Sequence, residues 1–210
     1  MEGMFELVDK GGNLMYVIMF CSVISVGVAL ERLISLKRNT IDSSALLNEL
    51  SVVINSGNIQ KAIEICEHTS GPTGRICKSG LLRYDRSREE IREAIQDAAN
   101  YEIPFLERYL GVLSTIATIT PLVGLLGTVS GMITVFKNIE ERTQLGGVIG
   151  PEVMAGGIWS ALITTAAGLS VAIPTFVAYN FLVSRSEALV HDMEQSATDL
   201  VNIISTKKGY

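Results

Sequence analysis

The sequence predicts an all-α integral membrane protein with three transmembrane helices and long helical extensions on the cytoplasmic side. Two runs carry most of that prediction: residues 109–136 and 153–184, 28 and 32 long, contain no Asp, Glu, His, Lys or Arg. About 20 residues at about 1.5 Å rise cross a hydrocarbon core, so each run is long enough to span. A third apolar run, 14–30, stops at Glu31-Arg32 and resumes through Leu33, Ile34 and Leu36. With 48% hydrophobic residues among 210, the composition is that of a small membrane protein and not of a globular enzyme.

The elements follow in order. Residues 1–13 form an external N-terminus carrying Glu2, Glu6 and Asp9 against one Lys10. That charge is wrong for a signal peptide, so residues 14–36 read as a retained first span. Between the spans, residues 37–86 form a region of short helices. Leu46, Leu47, Leu50, Val53 and Ile54 repeat at helical spacing up to Gly57-Asn58; Ile59, Ala62, Ile63 and Cys66 follow; a third helix runs from Thr73 to Tyr84 after Ser70-Gly71-Pro72.

Ser87-Arg88-Glu89-Glu90 is a capping box, and the apolar pattern Ile91, Ala94, Ile95, Ala98, Phe105, Leu106, Tyr109 runs on into the second span. Residues 87–136 therefore read as one cytoplasmic helix continuing into the membrane, about 70 Å long and kinked at Pro104 and Pro121. An external hairpin, 137–152, turns at Gly146-Gly147 and Gly150-Pro151. The third span, 153–184, runs over Pro174 into a cytoplasmic C-terminal helix, 185–210, ending near Ser205.

Orientation comes from the basic residues. If 37–86 is cytoplasmic, only Lys10, Lys137 and Arg142 fall outside, leaving 14 of the 17 Lys and Arg inside. The N-terminus is then periplasmic and the C-terminus cytoplasmic. A net charge of −5 without a basic stripe offers no nucleic-acid surface. Cys21, Cys66 and Cys77 form no CxxC pair, and His68 and His191 lie far apart, so no metal or cofactor is expected. The acidic set Glu89, Glu90, Glu93, Asp97, Glu102 and Glu107 reads as a solvated or subunit-contacting helix face, and no enzymatic constellation is present.

On a helical wheel the charge-free runs divide. Gly157, Ser160, Ala161, Thr164, Gly168, Val171, Ala172 and Thr175 share one half of the third span, opposite Ile158, Trp159, Leu162, Ile163, Leu169, Ile173, Phe176 and Val177. Ala117, Pro121, Gly124, Thr128 and Gly131 form a stripe on the second, with Ile119, Leu122, Leu126 and Ile133 behind. Such faces serve either of two ends. Small residues let helices pack closely in lipid, and hydroxyls can line a polar conduit without the cost of a buried charge. Thr128, Thr164 and Thr165 on neighbouring spans favour the conduit.

Residues 120–132, TPLVGLLGTVSGM, resemble the second-span motif of the MotA/TolQ/ExbB proton channel family. Residues 157–169, GIWSALITTAAGL, followed by Val171-Ala172-Ile173-Pro174 and Ala178-Tyr179-Asn180, resemble its third-span motif. Glu31-Arg32 is a weaker echo. Three spans with an external N-terminus resemble the ExbB/TolQ branch better than the four-span flagellar MotA subunits.

The resemblance implies a homo-oligomer, a pentamer, embedded in the lipid of the bacterial inner membrane and surrounding helices of a single-span ExbD/TolR-like partner. It implies an ion-conducting stator, with proton flow coupled to mechanical work through that partner. Neither charge-free run can bind a proton itself, and the family's essential Asp comes from the partner helix. Thr128 and Thr165 match the family's pore-facing threonines; Thr164, Ser160, Pro121 and Gly124 complete the expected lining. One departure stands at Ser160, where siderophore-uptake and Tol members usually carry Glu; serine supplies no titratable group there and argues against the siderophore-uptake subtype. Thr164 beside Thr165 also admits a sodium-ligating reading. The rival from another class is a non-conducting scaffold that only assembles an oligomer.

Overall fold

The computed structural model describes residues 12–144 and 151–209, and every regular element among them is helical. The helices are α1 (Asn13–Asn39), α2 (Ser43–Asn55), α3 (Ile59–His68), α4 (Pro72–Leu81), α5 (Arg88–Leu106), α6 (Leu110–Gln144) and α7 (Pro151–Lys208). Three helical stretches, Asn13–Asn55, Arg88–Gln144 and Met154–Lys208, contain windows long and apolar enough to cross a membrane. The chain is an all-α membrane protein.

Local chemistry sets the helix starts. Asp42 accepts from the Ala45 amide and Asn58 from the Lys61 amide, each satisfying a donor that the first turn leaves unpaired. Gly71 precedes Pro72 with φ +103°, and a Cβ there would lie 2.9 Å from the Asn39 carbonyl oxygen, so glycine is required twice over. At α5 both halves of the capping box form: Ser87 accepts from the Glu90 amide, and the Glu90 carboxylate accepts from the Ser87 amide.

Two compact units result, Met1–Leu30 with Tyr109–Asn180, and Glu31–Arg108 with Phe181–Tyr210. The first contains α6 and the first thirty residues of α7. Its exposed bulky side chains, Leu122, Leu126, Ile133, Leu162, Ile173 and Val177, form the outer apolar surface. The second packs α2 to α5 with the last part of α7. Leu50, Ile54, Ile76, Leu81, Ile91, Ile95, Leu200 and Ile204 are fully buried there; each such side chain contributes about 1.5–3 kcal/mol. Arg75 and Glu102 add a two-pronged ion pair, Nε and Nη2 each 2.6 Å from a carboxylate oxygen. The end of α7 is tied down by Lys207, which donates to the Asn55 carbonyl, and Lys208, which donates to that of Arg86.

The expected continuous helix over 87–136 is interrupted. α5 ends at Leu106, α6 begins at Leu110, and Tyr109 between them has φ +64°, unusual for a residue with a side chain. In an unbroken helix the Phe105 carbonyl would accept from the Tyr109 amide. Here it accepts from Arg32 Nη1 at 3.0 Å instead, and the residue just before it is Pro104, which has no amide to give. Pro121, by contrast, lies inside α6 without ending it. The expected hairpin also shortens, because 137–144 are helical; its Gly146-Gly147 turn and Gly150 fall outside the described residues. Pro151 opens α7, which runs through Pro174 to Lys208 without a break.

Candidate functional site

The small residues of the second and third spans bring α6 and α7 together as an antiparallel pair. Thr120 approaches Gly168, Gly124 approaches Thr165, Gly127 meets Thr164, Gly131 meets Ala161, and Val135 meets Gly157. A Cβ at Gly168 would lie 2.8 Å from the Thr120 carbonyl oxygen, and one at Gly131 would lie 3.0 Å from the Ala161 Cβ. At Gly127 an added Cβ would drive into the Thr164 methyl group. Backbones approach this closely only where side chains are absent or minimal, which is the association chemistry available to helices in lipid.

The three threonine hydroxyls are engaged. Thr165 Oγ1 donates across the pair to the Gly124 carbonyl at 3.0 Å. Thr164 donates within its own helix to the Ser160 carbonyl at 2.8 Å, and Thr128 to that of Leu125 at 2.7 Å. A hydroxyl that donates keeps lone pairs, so each can still accept from a water or a protonated acid.

The six expected lining residues therefore separate by position. Gly124, Thr164 and Thr165 meet at one crossing of the two helices. Thr164 is 1% exposed and sits in the packed seam; Gly124 is buried with it. Pro121, Thr128, Ser160 and Thr165 remain partly exposed. The wheel omitted Thr120 and Gly127, which complete the seam. Their signal was the spacing 120, 124, 127, 131, an i, i+4, i+7, i+11 progression that marks one helix face.

No charged side chain belongs to either span, so the site has no carboxylate, imidazole, ammonium or guanidinium of its own. Among the described residues, no three His, Cys, Asp or Glu are placed to hold a metal ion. The pair can offer close packing, hydroxyl lone pairs and a partly exposed polar flank.

The sequence profile of the MotA/TolQ/ExbB proton channel family matches residues 68–195. A Synechocystis protein named as an ExbB-like biopolymer transport protein is 35% identical over 83% of this chain and 68% of its own length. The Vibrio cholerae biopolymer transport protein exbB1 is 31% identical over 83% of this chain and 76% of its own. The Haemophilus influenzae Tol-Pal system protein TolQ is 36% identical over 53% of this chain and 47% of its own. The first relatives are matched over 66% to 80% of their lengths. A profile covering well over half of the chain, with relatives of both types, leads to one conclusion: the chain belongs to the MotA/TolQ/ExbB proton channel family, in its ExbB/TolQ-like branch.

Proposed function

We propose that this chain is the ion-conducting subunit of an inner-membrane stator that converts a proton gradient into mechanical work. Copies of the chain, five by family resemblance, surround a single-span ExbD/TolR-like helix, with the N-terminus periplasmic and the C-terminus cytoplasmic. The names of the relatives, biopolymer transport and Tol-Pal proteins, support work at the cell envelope. One observation carries the reading: α6 and α7 present partly exposed Thr128, Thr165 and Ser160 yet hold no Asp, Glu, His, Lys or Arg over 109–136 or 153–184. The proton carrier must then come from outside the chain, as an Asp on the partner. Thr128 and Thr165 accept from and hydrate that acid, and its desolvation alternates as it moves, raising and lowering its proton affinity. Pro121 and Gly124 shape the wall beside them.

Flux into liposomes, with and without a co-expressed partner, under a proton or a sodium gradient, tests this. Proton flux is expected only with the partner. Thr165→Val and Thr128→Val each keep the volume and remove a hydrogen bond accepted from the neutral, protonated acid, worth about 0.5–1.5 kcal/mol or roughly 2–10-fold in flux. Sodium flux would reassign the ion. The packed seam favours the rival reading, a non-conducting scaffold, because Thr164 and the glycines are already used in joining the helices. Absence of flux even with the partner, with assembly intact, would select that rival, and unchanged flux in both valine variants would assign the two threonines to packing alone.

A further inference from the structure

Residues 31–108 and 181–210 hold a surface that neither helix packing nor the conduit uses. On α5, Tyr101 is 68% exposed and Phe105 47%, their rings 5.2 Å apart, with exposed Pro104 between them. The aromatic rings stand apart on α5, whose outward residues before Tyr101 are all polar or charged: Arg88, Glu89, Arg92, Glu93, Gln96, Asp97 and Asn100. On α1, Leu33 is 45% and Ile34 56% exposed. These two groups share a level. Arg32, buried at 5%, donates from Nη1 to the Phe105 carbonyl at 3.0 Å, which fixes the last turn of α5 beside the part of α1 that carries Leu33 and Ile34.

That part of α1 is the closing segment of the first span, and Lys37 and Arg38 follow in its last turn. The charge pattern alone places the edge of the second span at Tyr109, two turns after Tyr101. The Arg32 contact moves that edge. We propose that the Tyr101-Pro104-Phe105 face of α5 lies in the lipid headgroup and upper acyl region of the bilayer, level with Leu33 and Ile34, and anchors α5 to the membrane surface. Aromatic rings with one apolar and one polar end are favoured at this depth. The Tyr101 hydroxyl reaches headgroup water while Phe105 contacts acyl carbons, and Lys37 and Arg38 meet the phosphates on the polar side. Lipid fits this face better than a protein partner, because it stands beside the closing turns of a membrane-spanning helix whose exposed apolar residues give way to a basic pair.

The test uses the full chain in liposomes with its single native tryptophan replaced, Trp159→Phe. Tyr101→Trp and Phe105→Trp are then introduced separately, so that one probe survives if the other fails to fold. Lipids brominated near the carbonyl end of the acyl chain are expected to quench both probes more strongly than lipids brominated near the methyl end, with a blue-shifted emission maximum. Emission quenched by aqueous iodide and indifferent to bromine would place the face in solvent and overturn the proposal. Emission shielded from both quenchers would show the face covered by another copy of the chain or another protein, and would overturn it equally.

Discussion

Single atoms decide much of the membrane part. Gly127 has no room for a Cβ because the Thr164 methyl occupies that space, and Thr164 is held there by its bond to the Ser160 carbonyl. Gly127→Ala should cost about 1–3 kcal/mol by overpacking, read as a lower unfolding midpoint in detergent. Removing the opposing methyl with Thr164→Ser should recover part of the loss, since contacting residues do not add independently; equal destabilisation of the single and double variants would place the strain elsewhere. In the other unit, burial pushes the Cys66 thiol up to about 12, and burial pushes Cys77 up further. The thiolate is the reactive form, so neither thiol is a nucleophile at neutral pH. A maleimide or disulfide reagent at about pH 8, near the ordinary thiol value, should label both only after denaturation; rapid labelling of either one in a native chain carrying Cys21→Ser would contradict their burial at 2% and 0%.

Among the helices, α5 shows which features can be read locally and which cannot. Its start was legible because a capping box is written in four consecutive residues. Its end was not: Phe105, Leu106 and Tyr109 continue the apolar spacing across the break, and the group that takes the Phe105 carbonyl there, Arg32, lies 73 residues away in sequence. The start makes a pH prediction. Hydrogen bonds from the Ser87 backbone and side chain hold the Glu90 carboxyl below its ordinary value. A lowered folded value means that its contribution is present above the unfolded value and is lost as pH falls through the folded one. Amide exchange in the first turn of α5 should therefore accelerate below about pH 4, the range where exposed glutamates protonate, and Glu90→Gln should flatten that dependence. At the other end, Glu102 is nearly buried and its partner Arg75 about half exposed. Arg75→Ala should cost about 1–3 kcal/mol, the lower part of that range being appropriate because solvent screens the exposed partner.

For the chain as a whole, three passages join the two units: α1 crosses at Leu30 and Glu31, α7 at Asn180 and Phe181, and the third lies at Arg108 and Tyr109. The spans themselves were plain in the sequence, since charge-free runs of 28 and 32 residues have few other uses. The partners of the small residues were less so, because a wheel shows which residues share a face and not which neighbour they meet. Thr164 and Thr165 are adjacent in sequence, yet one enters the seam and the other bonds across it. Of the three passages, two are unbroken helix and the third lies in the break that follows Phe105, whose carbonyl Arg32 engages. Its guanidinium gives Nε and Nη2 to Glu31 and Nη1 to Phe105, a use of a planar fork that an ammonium cannot copy. Arg32→Lys should therefore behave almost as badly as Arg32→Met. Both should lower the unfolding midpoint by the equivalent of about 1–3 kcal/mol and expose the 107–109 segment to protease in detergent, whereas Lys37→Met should do neither. If Arg32→Lys were as stable and as protease-resistant as the native chain, charge alone would suffice at this position and the forked contact would not be what holds the break.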